Sequence, residues 1–430
     1  MIMTILFNQP HPYQSRGGLQ PLDLHPHEQI SYNEKKSRKE VDMNTISEPD
    51  ESLRSLHYDS YIHDYYPLAL PLKVDEEMLD FMKHALSEGM NGNAVIYEFF
   101  NFYLKRMETG GKTAEKTKLQ IADLVKKAGV NGVTLTLGNA SKPLDDYESI
   151  LDSISWWERF IKAADFLEMR TSVEGLMESF RSGKTALIFA LQDAGCLGED
   201  LNRLQTLYEK GVRIAQLTYN GQNRIGAGCA ASPEAGLTDF GERAVREMNR
   251  LCMVVDVSHC NYRTTMDAIA VSGRPSIISH SSCKSVFDHP RAKSDEELKK
   301  LAAADGYFGL YAVPFFLSDK RNPDFQIFIH HLRHAVDLLG PERVGIGSDW
   351  GLWSPDVPEE LLEAAKEAAR KMGFGKNMNL MIGTSLKGMA DYTDWIRITE
   401  ALVKAGFSEP QIRGFLGGNF LRFLERAGLR

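Results

Sequence analysis

MVVDVSHCNYRTTMDAIAVSGRPSIISH, residues 253–280, contains a short apolar run, a longer amphipathic stretch and a second apolar run. The two apolar runs are short and rich in Val and Ile, which suits strands of a sheet covered on both faces. The stretch between them is long enough for a helix, and Gly273 and Pro275 punctuate the entry to the second run. Strand, helix and strand in that order predict two parallel strands joined by a helical crossover.

The same unit recurs along the chain. Strand candidates are NAVIYEF (93–99), GVTLTLG (132–138), TALIFALQ (185–192), VRIAQLTY (212–219), MVVDVSH (253–259), PSIISH (275–280), YFGLYAVP (307–314) and RVGIGSD (343–349). Amphipathic segments such as KTAEKTKLQIADLVKKAG, GERAVREMNRL and DFQIFIHHLRHAVDLLG separate most of them. With a first strand at residues 58–63 the candidates suffice to close an eight-stranded ring with one miscalled. The expected fold class is α/β, a single (β/α)8 TIM-like barrel over residues 55–430, with a doubly wound open sheet as the alternative. Residues 1–54 are polar, lack a sustained period and are expected to form a disordered tail, in which His25 and His27 would have no fixed geometry.

Composition narrows the partners. Of 430 residues, 43% are hydrophobic and 25% charged, and the net charge is −8. That balance suits a globular chain with a large core and disfavours nucleic acid or an anionic membrane surface as a partner. Small metabolites or other proteins are the expected partners. No stretch reaches the roughly 20 apolar residues of a membrane span. The start, MIMTILFNQPHPYQSRGG, lacks a basic leader and a long apolar run, so a cytoplasmic location is expected. The five cysteines are odd in number and form no CxxC pair, which fits reduced core thiols.

Three late strand candidates end on side chains that bind metals: His259, His280 and Asp349. In a barrel, the carboxyl ends of the strands converge on one face, so these residues would meet although they lie far apart in the chain. Neutral imidazoles and a carboxylate suit a zinc-like ion. Near the other end of the chain, YDSYIHDYY (58–66) would place Asp59, Tyr61 and His63 on one face of a strand, with His57 in the same phase.

The stretch 236–306, from GLTDFGERAVREMNRLCMVVDVSH through GRPSIISHSSCKSVFDHPRAKSDEELKKLAAADG, resembles the membrane (renal) dipeptidase family, peptidase family M19. The likeness continues through HHLRHAVDLLGPERVGIGSD (330–349) and ITEALVKAGFSEPQIRGFLGGNFLRFLERA (398–427). The resemblance implies a metal-dependent hydrolase barrel of the amidohydrolase type, usually with two zinc ions, that cleaves dipeptides; homodimerisation is suggested by the family alone. Residue by residue, it places two metal-binding imidazoles on His259 and His280, a metal-binding carboxylate on Asp349, and a substrate-carboxylate anchor on Arg291, where the Asn that usually follows is Ala292.

Other positions depart from the family. Its first strand reads Asp-Gly-His-Asn-Asp, whose His and last Asp bind metal; matched to residues 59–63, these fall on Tyr61 and His63. The bridging Glu falls on Gln192, and a substrate-polarising His falls on Tyr219. Two doubly charged ions about 3.5 Å apart repel by roughly 20 kcal/mol at an effective dielectric near 20, and a neutral amide offsets little of this. Asp193 would face away in a regular strand. One ion is therefore expected, held by His63, His259, His280 and Asp349, with Gln192 and Arg291 toward the substrate and Asp349, Tyr219 and Tyr61 in catalytic roles. A register with His57 and Asp59 as an intact His-x-Asp pair is the alternative. His331 and His334, on a helix outside the barrel, and Asn419 read as packing and turn residues.

The expected activity is hydrolysis of a dipeptide or another small amide. The alternative is a barrel that has lost its metals and serves as a binding or assembly partner.

Overall fold

The computed structural model describes residues 48–65, 92–138, 145–350 and 384–429, with a few further positions between these segments. Among the described residues there are nine strands: β1 (His63–Tyr65), β2 (Gly132–Leu137), β3 (Leu167–Met169), β4 (Thr185–Leu191), β5 (Val212–Gln216), β6 (Val254–Asp256), β7 (Ile277–Ser281), β8 (Tyr307–Leu310) and β9 (Val344–Ile346). Eight pair in parallel in the order β1-β2-β4-β5-β6-β7-β8-β9, and β3 pairs with β4 beside that path. The ring closes where Asp349 N–H donates to the Tyr65 carbonyl at 3.3 Å. The expected barrel is the observed one.

Alternation along the strands creates two cores. Ala186, Ile188 and Ala190 of β4 face inward and share a cluster with Ile214, Val254, Ile277 and Tyr307. Leu187, Phe189 and Leu191 of the same strand face outward into the cluster formed with the surrounding helices. Phe420, Phe423, Leu424 and Ala427 of the helix Asn419–Ala427 join the inner cluster. Since Val254, Ile277 and Tyr307 open their strands, that helix seals the amino end of the barrel and leaves the carboxyl end for chemistry.

Three expectations about local structure need correction. NAVIYEF is not a strand: it lies in the helix Gly92–Glu108, where Phe100, Tyr103, Leu104 and Met107 are buried at helical spacing. β3 supplies the strand that the sequence reading missed. The first strand begins at His63, not Tyr58, because Glu51–Tyr58 is a helix capped by the Asp50 carboxylate, which accepts from Leu53 N–H at 2.8 Å. Residues 1–47 of the expected tail lie outside the described residues. Among the described residues, no helix is long and apolar enough to cross a membrane.

Candidate active site

The carboxyl ends of β6 and β7 bring His259 and His280 together, with their Nε2 atoms 3.0 Å apart. His259 lies three residues beyond β6 and His280 within β7. His259 Nδ1 meets Asn220 Oδ1 at 2.7 Å, and Cys229 Sγ lies 3.3 Å from the same oxygen. Asn220 Oδ1 is an acceptor, so His259 carries its proton on Nδ1 and presents a bare Nε2. Tyr219 stacks on the His259 ring at a centroid distance of 4.3 Å, as expected for a residue at the end of the neighbouring strand. Burial holds both imidazoles well below their ordinary range, with the Arg291 charge acting in the same direction, so both are neutral near pH 7.

Arg291 is buried, with 1% exposure. Its Nη1 donates to the Ser258 carbonyl at 2.6 Å and its Nη2 to the His280 carbonyl at 3.1 Å. Nε has no partner among the described residues. The guanidinium is thus tied to the backbone beside both histidines and keeps a donor in reserve.

Asp349 follows β9 with a left-handed backbone at φ 47°. Burial lifts its carboxyl to about 6, with Arg291 opposing and Asp64 adding to the rise. The Asp349 and Arg291 charges also act on the Tyr219 phenol, which burial raises well above its ordinary range. Gln192 follows β4 in the inward phase and is 3% exposed, and its Oε1 has no partner among the described residues. Asp193 does not replace the missing anion. It caps the turn Ala194–Leu197, accepting from Gly195 N–H at 2.7 Å, Tyr219 N–H at 3.0 Å and Asn223 Nδ2 at 2.5 Å.

The four-ligand set expected from the sequence is not assembled. Among the described residues, no three His, Cys, Asp or Glu side chains are grouped to hold a metal ion. His63 opens β1, and its ring packs on Phe420 at 4.2 Å, toward the sealed amino end. Its nitrogens meet Tyr61 Oη at 3.0 Å and Thr134 Oγ1 at 2.8 Å. Tyr61 precedes β1 and packs edge-on against Phe180, so the catalytic role expected of it has no geometric basis. The alternative pair fails as well. His57 is spent on Thr399 Oγ1 and the Ala128 carbonyl, and Asp59 accepts from Ser55 Oγ at the end of the first helix.

Tyr65 is the residue the sequence reading missed. Its ring stacks on His280 with centroids 5.9 Å apart, and its hydroxyl donates to Asp256 Oδ2 at 3.1 Å. With β1 at His63–Tyr65, the His-x-Asp pattern of the resembled family slides by two residues onto His63 and Tyr65, so a phenol stands where that pattern has its carboxylate. The signal was the Tyr65 that follows His63 at strand spacing. The remaining assignments were structural, as expected: His331 accepts from Cys283 N–H at 3.1 Å and holds the Leu317 carbonyl at 3.0 Å, and Asn419 Nδ2 donates to the Pro341 and Val344 carbonyls. All five cysteines are free.

Comparison with known proteins agrees with this architecture. Dipeptidase verJ of Clonostachys rogersoniana is 31% identical over 260 residues, which span 60% of this chain and 58% of that relative. An amidohydrolase from Pseudomonas aeruginosa shares the fold with a TM-score of 0.67 at 22% identity, over 87% of this chain and 98% of its own. A metallopeptidase from Rhodobacter sphaeroides, liganded with a phosphinate mimic of the dipeptide L-Ala-D-Ala, does so with a TM-score of 0.61 at 18% identity, over 86% of this chain and 99% of its own. The sequence model of the membrane dipeptidase family matches residues 101–370, and with the barrel and its paired histidines in place, the chain belongs to that family, peptidase family M19.

Proposed function

We propose that this chain is a metal-dependent hydrolase of a small amide, a dipeptide or a peptide-like relative, working with one zinc-like ion. The observation that carries this reading is the pair of neutral imidazoles whose Nε2 atoms face each other at 3.0 Å. Two nitrogen lone pairs repel at that distance unless a cation or a proton lies between them. The unpartnered Gln192 Oε1 adds a third neutral donor at the carboxyl end of the barrel. Two imidazole nitrogens and an amide oxygen fit one borderline ion completed by water. They do not fit two, because Tyr65 and Gln192 replace the anions that would offset the second charge.

When bound, such an ion polarises a carbonyl and makes water more acidic. The remaining steps belong to the chain. Asp349, with its carboxyl near 6, is ionised at neutral pH and accepts the proton of the attacking water. The same proton then passes to the amine nitrogen as the carbon–nitrogen bond breaks. The buried, neutral Tyr219 phenol donates to the oxyanion that develops on the carbonyl oxygen. Arg291 Nε, buried without an acceptor, anchors a substrate carboxylate.

The test is metal analysis and hydrolysis by one preparation. Protein purified without chelator and then offered zinc should hold about one ion per chain and release amino acids from a panel of L,L- and L,D-dipeptides. A chelator should stop the reaction, and zinc should restore it. Failure to retain zinc would overturn this reading and leave a binding barrel.

A further inference from the structure

Asp256, the last residue of β6, is a fully buried carboxylate inside the barrel with no part in the chemistry described so far. Its Oδ1 accepts from Ser258 N–H at 2.9 Å and from Ser258 Oγ at 2.5 Å. Its Oδ2 accepts from Ser279 Oγ at 2.5 Å and from the Tyr65 hydroxyl at 3.1 Å. Ser279 Oγ in turn lies 2.7 Å from His280 Nδ1. Each hydroxyl has a single proton to give. Ser258 Oγ accepts the backbone amides of Ser279 at 2.7 Å and His280 at 3.3 Å and also lies 2.9 Å from Ser279 Oγ; its own proton goes to the nearer, charged Asp256 Oδ1 at 2.5 Å rather than to that hydroxyl. When Ser279 gives its proton to Oδ2, only a lone pair is left to face His280, and Nδ1 must be the donor.

We propose that Asp256, acting through Ser279, is a tautomer clamp: it fixes the His280 proton on Nδ1 and turns a bare Nε2 toward His259. Tyr65 belongs to the same device, since its hydroxyl is held by Asp256 while its ring stacks on His280. The packing leaves Ser279 little freedom. A Cβ on Gly309 or Gly347 would lie 2.0 or 2.1 Å from the Ser279 carbonyl oxygen, so glycine in β8 and after β9 is what lets those segments close on this residue. His259 reaches the same tautomer through Asn220. Asp256 is therefore a positioning residue, and its value for ion binding rests on the function proposed above.

The test reads the tautomer directly. Metal-free protein labelled at the imidazole nitrogens is followed by nitrogen NMR, and zinc affinity is measured by competition with a chelating dye. The wild type should show His280 protonated on Nδ1 and bare on Nε2. Ser279→Ala should lose that preference and weaken zinc binding about 10- to 100-fold, the range for removing a group that orients a metal ligand. Ser279→Thr, which keeps the hydroxyl, should retain both properties. Asp256→Asn can donate its amide to Ser279, which reverses the chain so that the serine proton goes to His280 Nδ1 and the imidazole proton moves to Nε2. Should Asp256→Asn fail to fold, the two Ser279 variants still decide. A wild-type His280 protonated on Nε2, or a tautomer unchanged in Ser279→Ala, overturns the proposal. If the tautomer pattern holds and no zinc binds, the hydrolase reading fails and the clamp stands.

Discussion

The carboxylate of Asp64 on the first barrel strand accepts both the backbone amide of Ser348, at 2.8 Å, and its hydroxyl, at 2.7 Å. These residues lie 284 positions apart and join the two ends of the ring. Tyr392 Oη at 2.8 Å and Trp395 Nε1 at 3.2 Å donate to the same carboxylate. Asp64→Ala would strand four buried donors at the seam that carries Asp349. The expected loss is about 3–5 kcal/mol, the scale for removing one member of a buried charged network. Denaturant titration should show the midpoint falling for Asp64→Ala and by nearly as much for Asp64→Asn, which keeps one acceptor oxygen but loses the charge; an Asp64→Asn midpoint close to wild type would argue against a charge-specific clamp.

Metal count separates the roles of Tyr65 and Gln192. Wild type should bind one zinc, and either Tyr65→Asp or Gln192→Glu alone should leave that number unchanged. Together the two substitutions restore anions on both sides of the centre and should raise the count toward two. A double variant that still binds one would overturn the account of the missing anions.

Substrate selection should depend on Arg291. Its replacement by Met removes the charge and leaves the Ser258 and His280 carbonyls without their donors. The expected result is a loss of about 100-fold or more in kcat/KM for a free dipeptide, with a much smaller change for the same dipeptide capped as a C-terminal amide. Equal losses on the two substrates would mean that Arg291 serves only to hold the backbone beside the histidines.

His57 predicts a pH effect on stability. Burial lowers its pKa to about 4, with the hydrogen bond to the Ala128 carbonyl opposing the shift. The unfolded chain takes up this proton near pH 6.5 and the folded chain only near 4, so stability is full above the higher value and falls as pH drops between them. The effect is bounded at about 3 kcal/mol. His57→Gln, which keeps a polar group near Thr399 and Ala128, should flatten the fall in Tm between pH 7 and pH 4.5. An unchanged slope would place the acid sensitivity elsewhere, for example at His331, whose pKa burial also lowers to about 4.

Much of this protein was legible without coordinates, because repeated strand-and-helix periodicity is local and the carboxyl ends of parallel strands must converge. That logic found the barrel and the strand-end residues His259, His280 and Asp349, while the family resemblance, not periodicity, pointed to Arg291 and to Gln192 as the place of a missing charge. It could not locate the start of the first strand. Alternation of side chains looks the same wherever a strand begins, and Tyr58 to His63 alternates as well as His63 to Tyr65 does. Contacts distant in the chain made the choice: His57 is fixed by Thr399, 342 residues away, and Tyr65 is fixed by Asp256, 191 residues away. Those contacts turned His63 toward the sealed end of the barrel and put a tyrosine beside His280. The sequence alone determined which strand ends meet, while packing across the ring decided which side chains of β1 face them, because burial and hydrogen-bond partners supplied by remote segments set the register.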